Sequence, residues 1–525
     1  MVTLALSTLL LGLATFAAFR RWKLIKRLPL PPGPRRVPLL GNLFQLPRRN
    51  GWLQFKQWSK HFGLSQSQPS APPLRLSDVG NYTGSDILYL NVAGVSVIVL
   101  NSTDAANDLL SRRSSIYSSR PHAVMLTELS GCDWAFATMP YNDYWKQCRR
   151  IFTMQLNPIH VSRYQPQQLK FIPDLLLGLL DNPDGYLHHV RRSVGTSILS
   201  ITYGIEDRNE LESHITLVEE GAERLAVAGS PGAFLVDFLP WLRYVPKWLP
   251  GAGFQRTAEE NRWYSQRMLE VPFATAKKLA ESGMGWPSLV SRGLSSLATE
   301  DEPLGEKTLK DTAATVYAAG GDTTVASLQV FFLAMLSHPD VQTKAQKELD
   351  SVLESARLPA FEDKEHLPYI SAIMLEVLRW HTVTPLGIPH VLSEDDEYNG
   401  YRLPANSIVV GNNWAMLHDE RVFPHPDQFN PDRFISEGKL IDEDKVLAAS
   451  FGFGRRICPG RHIGMSELWI TAASVLSVFN ITKAGKEPTL EFTTSLISTP
   501  LPFQCAIKPR SEEAQKLIRA AADSK

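Results

Sequence analysis

Cysteine is scarce in this chain: Cys132, Cys148, Cys458 and Cys505 are the four among 525 residues. That density excludes a disulfide scaffold, the spacing shows no zinc-type pairing, and the usage fits a reducing compartment. Neither sign of charge is in excess, since Lys+Arg and Asp+Glu both number 54, which leaves no nucleic-acid footprint in the net charge. His-Glu-x-x-His is missing, and with it the helix-borne metal-hydrolase site. A dinucleotide loop is also missing, because Gly452-x-Gly454 meets Ile457 where a third glycine is required. Proline is absent from Leu309 to Leu336, a stretch with only three charges, Lys310, Asp311 and Asp322. Such a stretch describes a helix buried on nearly every side.

What is present suits one large core, with 44% of residues hydrophobic. Met1 to Phe19 carries no charge and is followed at once by Arg20, Arg21, Lys23, Lys26 and Arg27. At about 1.5 Å per residue this segment just crosses a bilayer core, and its trailing positive charge leaves the rest of the chain in the cytosol. Residues 1–19 therefore read as an uncleaved transmembrane anchor. Residues 20–34, basic and then Leu28-Pro29-Leu30-Pro31-Pro32-Gly33-Pro34, read as a stiff polyproline-like hinge. Residues 35–525 form the remaining unit, interrupted by the polar, proline-rich stretch 65–85, which reads as a disordered surface insertion. Ile87–Val92 and Ser96–Leu100, around Ala93-Gly94-Val95, read as a hairpin.

Two stretches carry chemistry. Ala319-Gly320-Gly321-Asp322-Thr323-Thr324 sits in the middle of the buried helical stretch. Each interior glycine costs about 1 kcal/mol relative to alanine, and a buried aspartate costs more unless paired, so stability alone does not account for the cluster. The second stretch is Phe451-Gly452-Phe453-Gly454-Arg455-Arg456-Ile457-Cys458-Pro459-Gly460, ahead of apolar residues at helical spacing up to about Asn480. Pro459 suits the first helical position, which puts Cys458 at the N-cap, where the helix dipole favours a thiolate. Gly452 and Gly460 let the backbone approach a flat ligand, and Phe451 excludes water. A lone thiolate beside a guanidinium suggests a metal ligand, and cysteine thiolate is one of the few ligands of haem iron.

This loop resembles that of the cytochrome P-450 haem-thiolate monooxygenases, whose Phe-x-x-Gly-x-Arg-x-Cys-x-Gly is filled by Phe451, Gly454, Arg456, Cys458 and Gly460. The resemblance runs from about residue 29 to 510. It implies a mainly α fold with small β-sheets, a haem held by Cys458, and Arg456, Arg149, Trp145 and His390 at the propionates, with Arg120 a lesser candidate. Phe451, Gly452 and Gly460 then flank the sulfur. Ala319 and Gly320 open a groove over the iron, while Asp322 and Thr323 relay protons to dioxygen. Glu376, Arg379 and Arg433 become a structural cluster, with Asp432 standing where glutamate is commoner.

The resemblance also implies an apolar substrate, dioxygen, and electrons from an NADPH-dependent diflavin reductase received near Arg455 and Arg461. The address is the endoplasmic reticulum membrane, with the aromatic segment 231–253 on lipid. The sequence style is similar to that of fungal, mushroom-like enzymes of secondary metabolism, and the expected apolar substrate is a terpenoid, sterol or aromatic polyketide, a terpenoid first. The expected pocket is lined by the 120–136 loop, residues 209–250, Val316–Ala319, Pro385–Ile388 and Leu496-Ile497-Ser498. A haem-thiolate isomerase or dehydratase, and a non-catalytic membrane haem protein, stand as alternatives.

Overall fold

The structure, a computed structural model, describes residues 28–63, 85–230, 232–297, 305–354, 357–485 and 487–524. The expected anchor, the basic part of the hinge and the 65–85 insertion up to residue 84 lie outside those residues.

Helices dominate. Those that frame the site are α1 (Asp143–Leu156), α2 (Tyr186–Tyr203), α3 (Arg208–Ala228), α4 (Gly253–Ser282), α5 (Glu306–Ser337), α6 (Pro368–Trp380) and α7 (Arg461–Val478). The main sheet has four strands, β1 (Ile87–Val92), β2 (Val95–Leu100), β3 (His390–Val391) and β4 (Ile408–Gly411), in the order β1-β2-β4-β3. β1 and β2 are antiparallel, β2 and β4 parallel with Val99 opposite Val410, and β3 antiparallel to β4 with His390 opposite Val409. The hairpin turn is tighter than its sequence suggests: Val92 pairs with Val95, leaving Ala93 and Gly94 as the two turn residues, at φ 49° and 95°. Positive φ at both central residues is what a strand-compatible two-residue turn needs.

Two hydrophobic clusters make up most of the core, and α5 runs through both. Its C-terminal half, Val325 to Leu336, packs with α6 and α7. Its N-terminal half, Leu309 to Tyr317, packs with α1, α2, α3 and α4. Fully burying one Leu or Phe side chain contributes about 1.5–3 kcal/mol, so the helix is fixed from both ends. Between them Ala318 to Thr323 is the stretch of α5 where burial lapses, and this stretch contains the glycine–acid–threonine motif. The helix is long and apolar enough to cross a membrane, but it is the central core element here.

The described part of the hinge does not act as a free spacer. Arg402 N–H donates to the Pro29 carbonyl at 2.8 Å, and Tyr89 N–H to that of Pro32 at 2.9 Å. A Cβ on Gly33 would lie 2.1 Å from the Tyr89 carbonyl oxygen, so only glycine fits there. The stiff segment is docked along β1 by backbone pairing that a proline-counting argument does not reveal.

Candidate active site

One cavity lies where the two halves of the core part, and Phe451, Gly452, Arg456, Cys458 and Gly460 line it together with Ala319, Gly320 and Thr323 of α5. Trp145 and Arg149 of α1, Arg120 and His390 complete its polar wall.

The cysteine loop is built by backbone constraints. Gly454 sits at φ 57° with its Cα against Leu110, where a Cβ would lie 2.2 Å from the carbonyl oxygen. Cys458 N–H donates to the Phe451 carbonyl at 2.7 Å, which holds the cysteine inside the loop. The helix therefore starts later than proline placement suggests: its N-cap is Gly460, and Pro459 lies in the preceding turn. The first helical N–H groups still reach the sulfur, with Gly460 and Arg461 hydrogen-bonding to it. Burial outweighs them, and outweighs the nearby Arg149 and Arg461, so the thiol is pushed above its ordinary range. The dipole alone does not make this group a thiolate; a bound cation would, since a coordinating thiol is deprotonated outright.

The polar wall is strongly cationic. Arg456 is buried and donates to the carbonyls of Ser118 (2.7 Å), Phe136 (3.3 Å) and Met139 (2.7 Å), with its guanidinium carbon 4.2 Å from the Trp145 ring centre. Asn142 caps α1 by accepting the Trp145 N–H at 2.8 Å, which fixes that ring's place. Arg149, one turn on, donates to the Ile457 carbonyl at 2.7 Å. Arg120 donates to the carbonyls of Ala137, Ile388 and Pro389. His390 is buried in β3, and its Nδ1–H donates to the Tyr117 carbonyl at 2.7 Å, leaving Nε2 as the other ring nitrogen. Among the described residues none of these three arginines meets a carboxylate. Burial and the neighbouring Arg149 lower Arg456 to about 9, and burial with the neighbouring guanidinium groups drives Arg120 and His390 well below their usual values.

On α5 the hydroxyl of Thr323 donates to the Ala319 carbonyl at 2.8 Å and lines the cavity. Gly320 faces α2: a Cβ there would lie 2.9 Å from Ile198. Asp322, in contrast, is not among the cavity-lining residues. Its surroundings are Arg191 on α2 and Glu219 and Glu223 on α3, and burial with the two glutamates raises it to about 6 while Arg191 opposes. Arg191 in turn stands 4.0 Å from Glu219.

Glu376 and Arg379 lie away from the cavity, both fully buried and joined by two hydrogen bonds of 2.6 and 2.8 Å. Arg433 donates to the same carboxylate at 3.2 Å, and the Asn430 N–H at 2.7 Å.

The family model described as Cytochrome P450 matches residues 81–507. The chain belongs to the cytochrome P450 family. It is 44% identical to cytochrome P450 monooxygenase 98 of Postia placenta over 94% of this chain and 92% of that one. It is 41% identical to cytochrome P450 monooxygenase ple1 of Rhodocybe pseudopiperita, over 94% and 92% of the two chains. It is 37% identical to tryptamine 4-monooxygenase of Psilocybe cyanescens, over 99% and 100%. This P450 is thus a haem-dependent oxidoreductase of the monooxygenase type, similar to fungal enzymes.

The residues present fit a haem. Arg120, Arg149 and Arg456, which meet no carboxylate among the described residues, would hold the two propionates, and the Cys458 thiol in the same cavity would ligate the iron. The pocket of this P450 is narrower than its sequence suggests. The described residues of 209–250, and Leu496-Ile497-Ser498, do not line it; Leu211, Ile215 and Val218 of α3 pack into the core with Val124, Met125 and Val236. Ser498 is tied instead to His381 and Val383. Sequence reasoning passed over Glu467, Arg191, Glu219 and Glu223. Glu467 had a signal, a lone acid amid the apolar residues of α7; the other three are ordinary helix-surface charges whose meaning depends on what packs beside them.

Proposed function

We propose that this P450 oxidises a neutral, apolar small molecule of fungal secondary metabolism, a terpenoid in the first instance. The observation that carries the reading is the convergence of Cys458 and the unpaired Arg120, Arg149 and Arg456 on one cavity beneath the Ala319–Thr323 stretch. Cys458 ligates the iron, with the Gly460 and Arg461 N–H groups tempering its charge. Arg456, Arg149, Trp145 and His390, joined by Arg120, hold the propionates. When bound, haem supplies the activation of dioxygen. Thr323 presents its hydroxyl to the cavity and Asp322 carries the proton from the α2–α3 side, a division of labour that favours the monooxygenase over a relay-free isomerase or haem carrier. Glu376, Arg379 and Arg433 brace the fold.

Neutral substrates are favoured because Glu467 is the only carboxylate among the described cavity residues, and it is bound to Ser197. A protonated amine such as tryptamine would meet the Arg120, Arg149 and Arg456 guanidinium groups and only that one carboxylate. Residues 1–19 anchor the protein in the endoplasmic reticulum membrane, the catalytic unit faces the cytosol, and an NADPH-dependent diflavin reductase supplies electrons at the Arg455 and Arg461 face. Support for lipid contact comes from Trp241, Tyr244 and Trp248, which are 61%, 74% and 79% exposed beside Arg243 and Lys247.

The test is a membrane preparation of the full chain with diflavin reductase, NADPH and isotopically labelled dioxygen, offered terpenes, sterols, indoles, tryptamine and polyketides. The expected result is label incorporation into a terpene. Conversion of tryptamine alone would overturn the substrate reading, and no NADPH-dependent product from any class would overturn the monooxygenase assignment of these residues.

A further inference from the structure

Glu467 has no part in the roles above, yet it lines the same cavity as Cys458 and is fully buried on α7. Its Oε2 accepts a hydrogen bond from the Ser197 hydroxyl of α2 at 2.9 Å, while Oε1 has no well-formed hydrogen bond among the described residues, the Gln168 amide being the polar group beside the carboxyl. Among the described residues no cation offsets it. What acts on it is burial, opposed by Ser197 and by the amide of Gln168 in the 165–170 helix. α5 contributes the hydroxyls of Thr323, Thr324 and Ser327 to the same cavity, and the α7 residues that line it with Glu467, namely Ile463, Gly464 and Leu468, carry no polar side chain. A full carboxylate in such surroundings costs several kcal/mol, and protonation removes that cost. Burial accordingly raises Glu467 to about 7, so either form is within reach at neutral pH.

Polar side chains lie along α2 between this group and the surface. Ser193, Ser197 and Ser200 recur at helical spacing on one face of α2. Ser200 donates to Glu206 at 2.7 Å, and Glu206 pairs with the part-exposed Lys170. The hydroxyls of Ser193 and of Thr471, one turn beyond Glu467, are buried without partners among the described residues.

We propose that Glu467 is a redox-linked proton site of the haem pocket, taking one proton from solvent when the iron accepts one electron from its reductase and releasing it on reoxidation. The step balances as one electron onto ferric iron and one proton onto the carboxylate, giving ferrous iron and a carboxylic acid, with no substrate bond made or broken. Its physical basis is that an electron added to a poorly solvated cavity raises the proton affinity of an unpaired carboxylate in the same cavity, and the coupling is reciprocal. The proposal rests on the reading of this cavity as the haem site, which the spectrum of the reduced carbonyl adduct checks separately.

The experiment is a spectroelectrochemical titration of the reductase-free holoenzyme across neutral pH, wild type against Glu467→Gln. In the wild type the reduction equilibrium should weaken with rising pH, by up to tenfold per pH unit, or about 59 mV for one electron, within the coupled window. Glu467→Gln should lose that slope and stay near the low-pH value. A flat wild-type profile, or an unchanged slope in Glu467→Gln, overturns the proposal. Should Glu467→Gln fail to bind haem, Ser197→Ala decides: it removes the donor that favours the charged form, so the inflection should move to higher pH, and an unmoved inflection overturns the idea.

Discussion

The guanidinium of Arg456 lies 4.2 Å from the ring centre of Trp145 and spends its other donors on three backbone carbonyls, so it is held rigidly with its charge unanswered by the protein. A preorganised cation of this kind spends little entropy when an anionic group binds. Arg456→Gln should lower haem content at least tenfold, since a hydrogen bond to a charged group is worth about 1.5–3 kcal/mol. Haem extracted per mole of purified protein measures this. Arg149→Gln should show a smaller loss, because that side chain makes one such bond to the loop.

Cys458→Ala should abolish the red-shifted Soret band of the reduced carbonyl adduct. Retention of both haem and that band would make the ligand assignment wrong.

Asp322 should trade stability for function. A carboxyl raised to about 6 binds more protons in the folded than in the unfolded chain between its ordinary value and 6, so folding stability falls as pH rises through that window and is level above it. Asp322→Asn should therefore raise folding stability near pH 8 by at most about 3 kcal/mol, read as a higher melting temperature, and leave it nearly unchanged at pH 4. The same variant should lower product formed per NADPH consumed, and Thr323→Ala should share only that second effect. Equal melting of Asp322→Asn and wild type at pH 8 would contradict the burial argument.

Glu376 accepts hydrogen bonds from Arg379, Arg433 and the Asn430 N–H. Removing it strands two guanidinium groups, one of them fully buried. Glu376→Ala should cost about 3–5 kcal/mol and give little folded enzyme at 37 °C, as read by urea unfolding or by yield of folded protein.

Trp241 and Trp248 should report lipid. In full-length protein in vesicles of brominated lipid, their fluorescence should be quenched, and Trp241→Phe with Trp248→Phe should remove most of that quenching. Quenching that survives in the double variant would come from other tryptophans and would remove this segment from the interface.

Much of the site was legible because its motifs are local. The cysteine loop needs glycine where Cα packs on a carbonyl, and Gly454 against Leu110 shows why. The extent of α5 was legible from the absence of proline and charge over Leu309–Leu336, against Glu306–Ser337 observed. The second hairpin strand starts at Val95 and not at the expected Ser96, because Ala93 accepts a positive φ that composition does not announce.

By itself the sequence determined which residue types stand at which helical or loop spacing: the cysteine after its glycines, the acid and threonine within a buried helix, Trp145 and Arg149 one turn apart. Tertiary structure decided what those groups face. It set Cys458 before Gly460 rather than at the cap, raised its thiol by burial, turned Asp322 toward Arg191 and away from the cavity, and left Glu467 unpaired beside it. The reason is that spacing is a property of the chain, whereas desolvation and the sign of neighbouring charge come from residues far apart in sequence that meet only when the core closes.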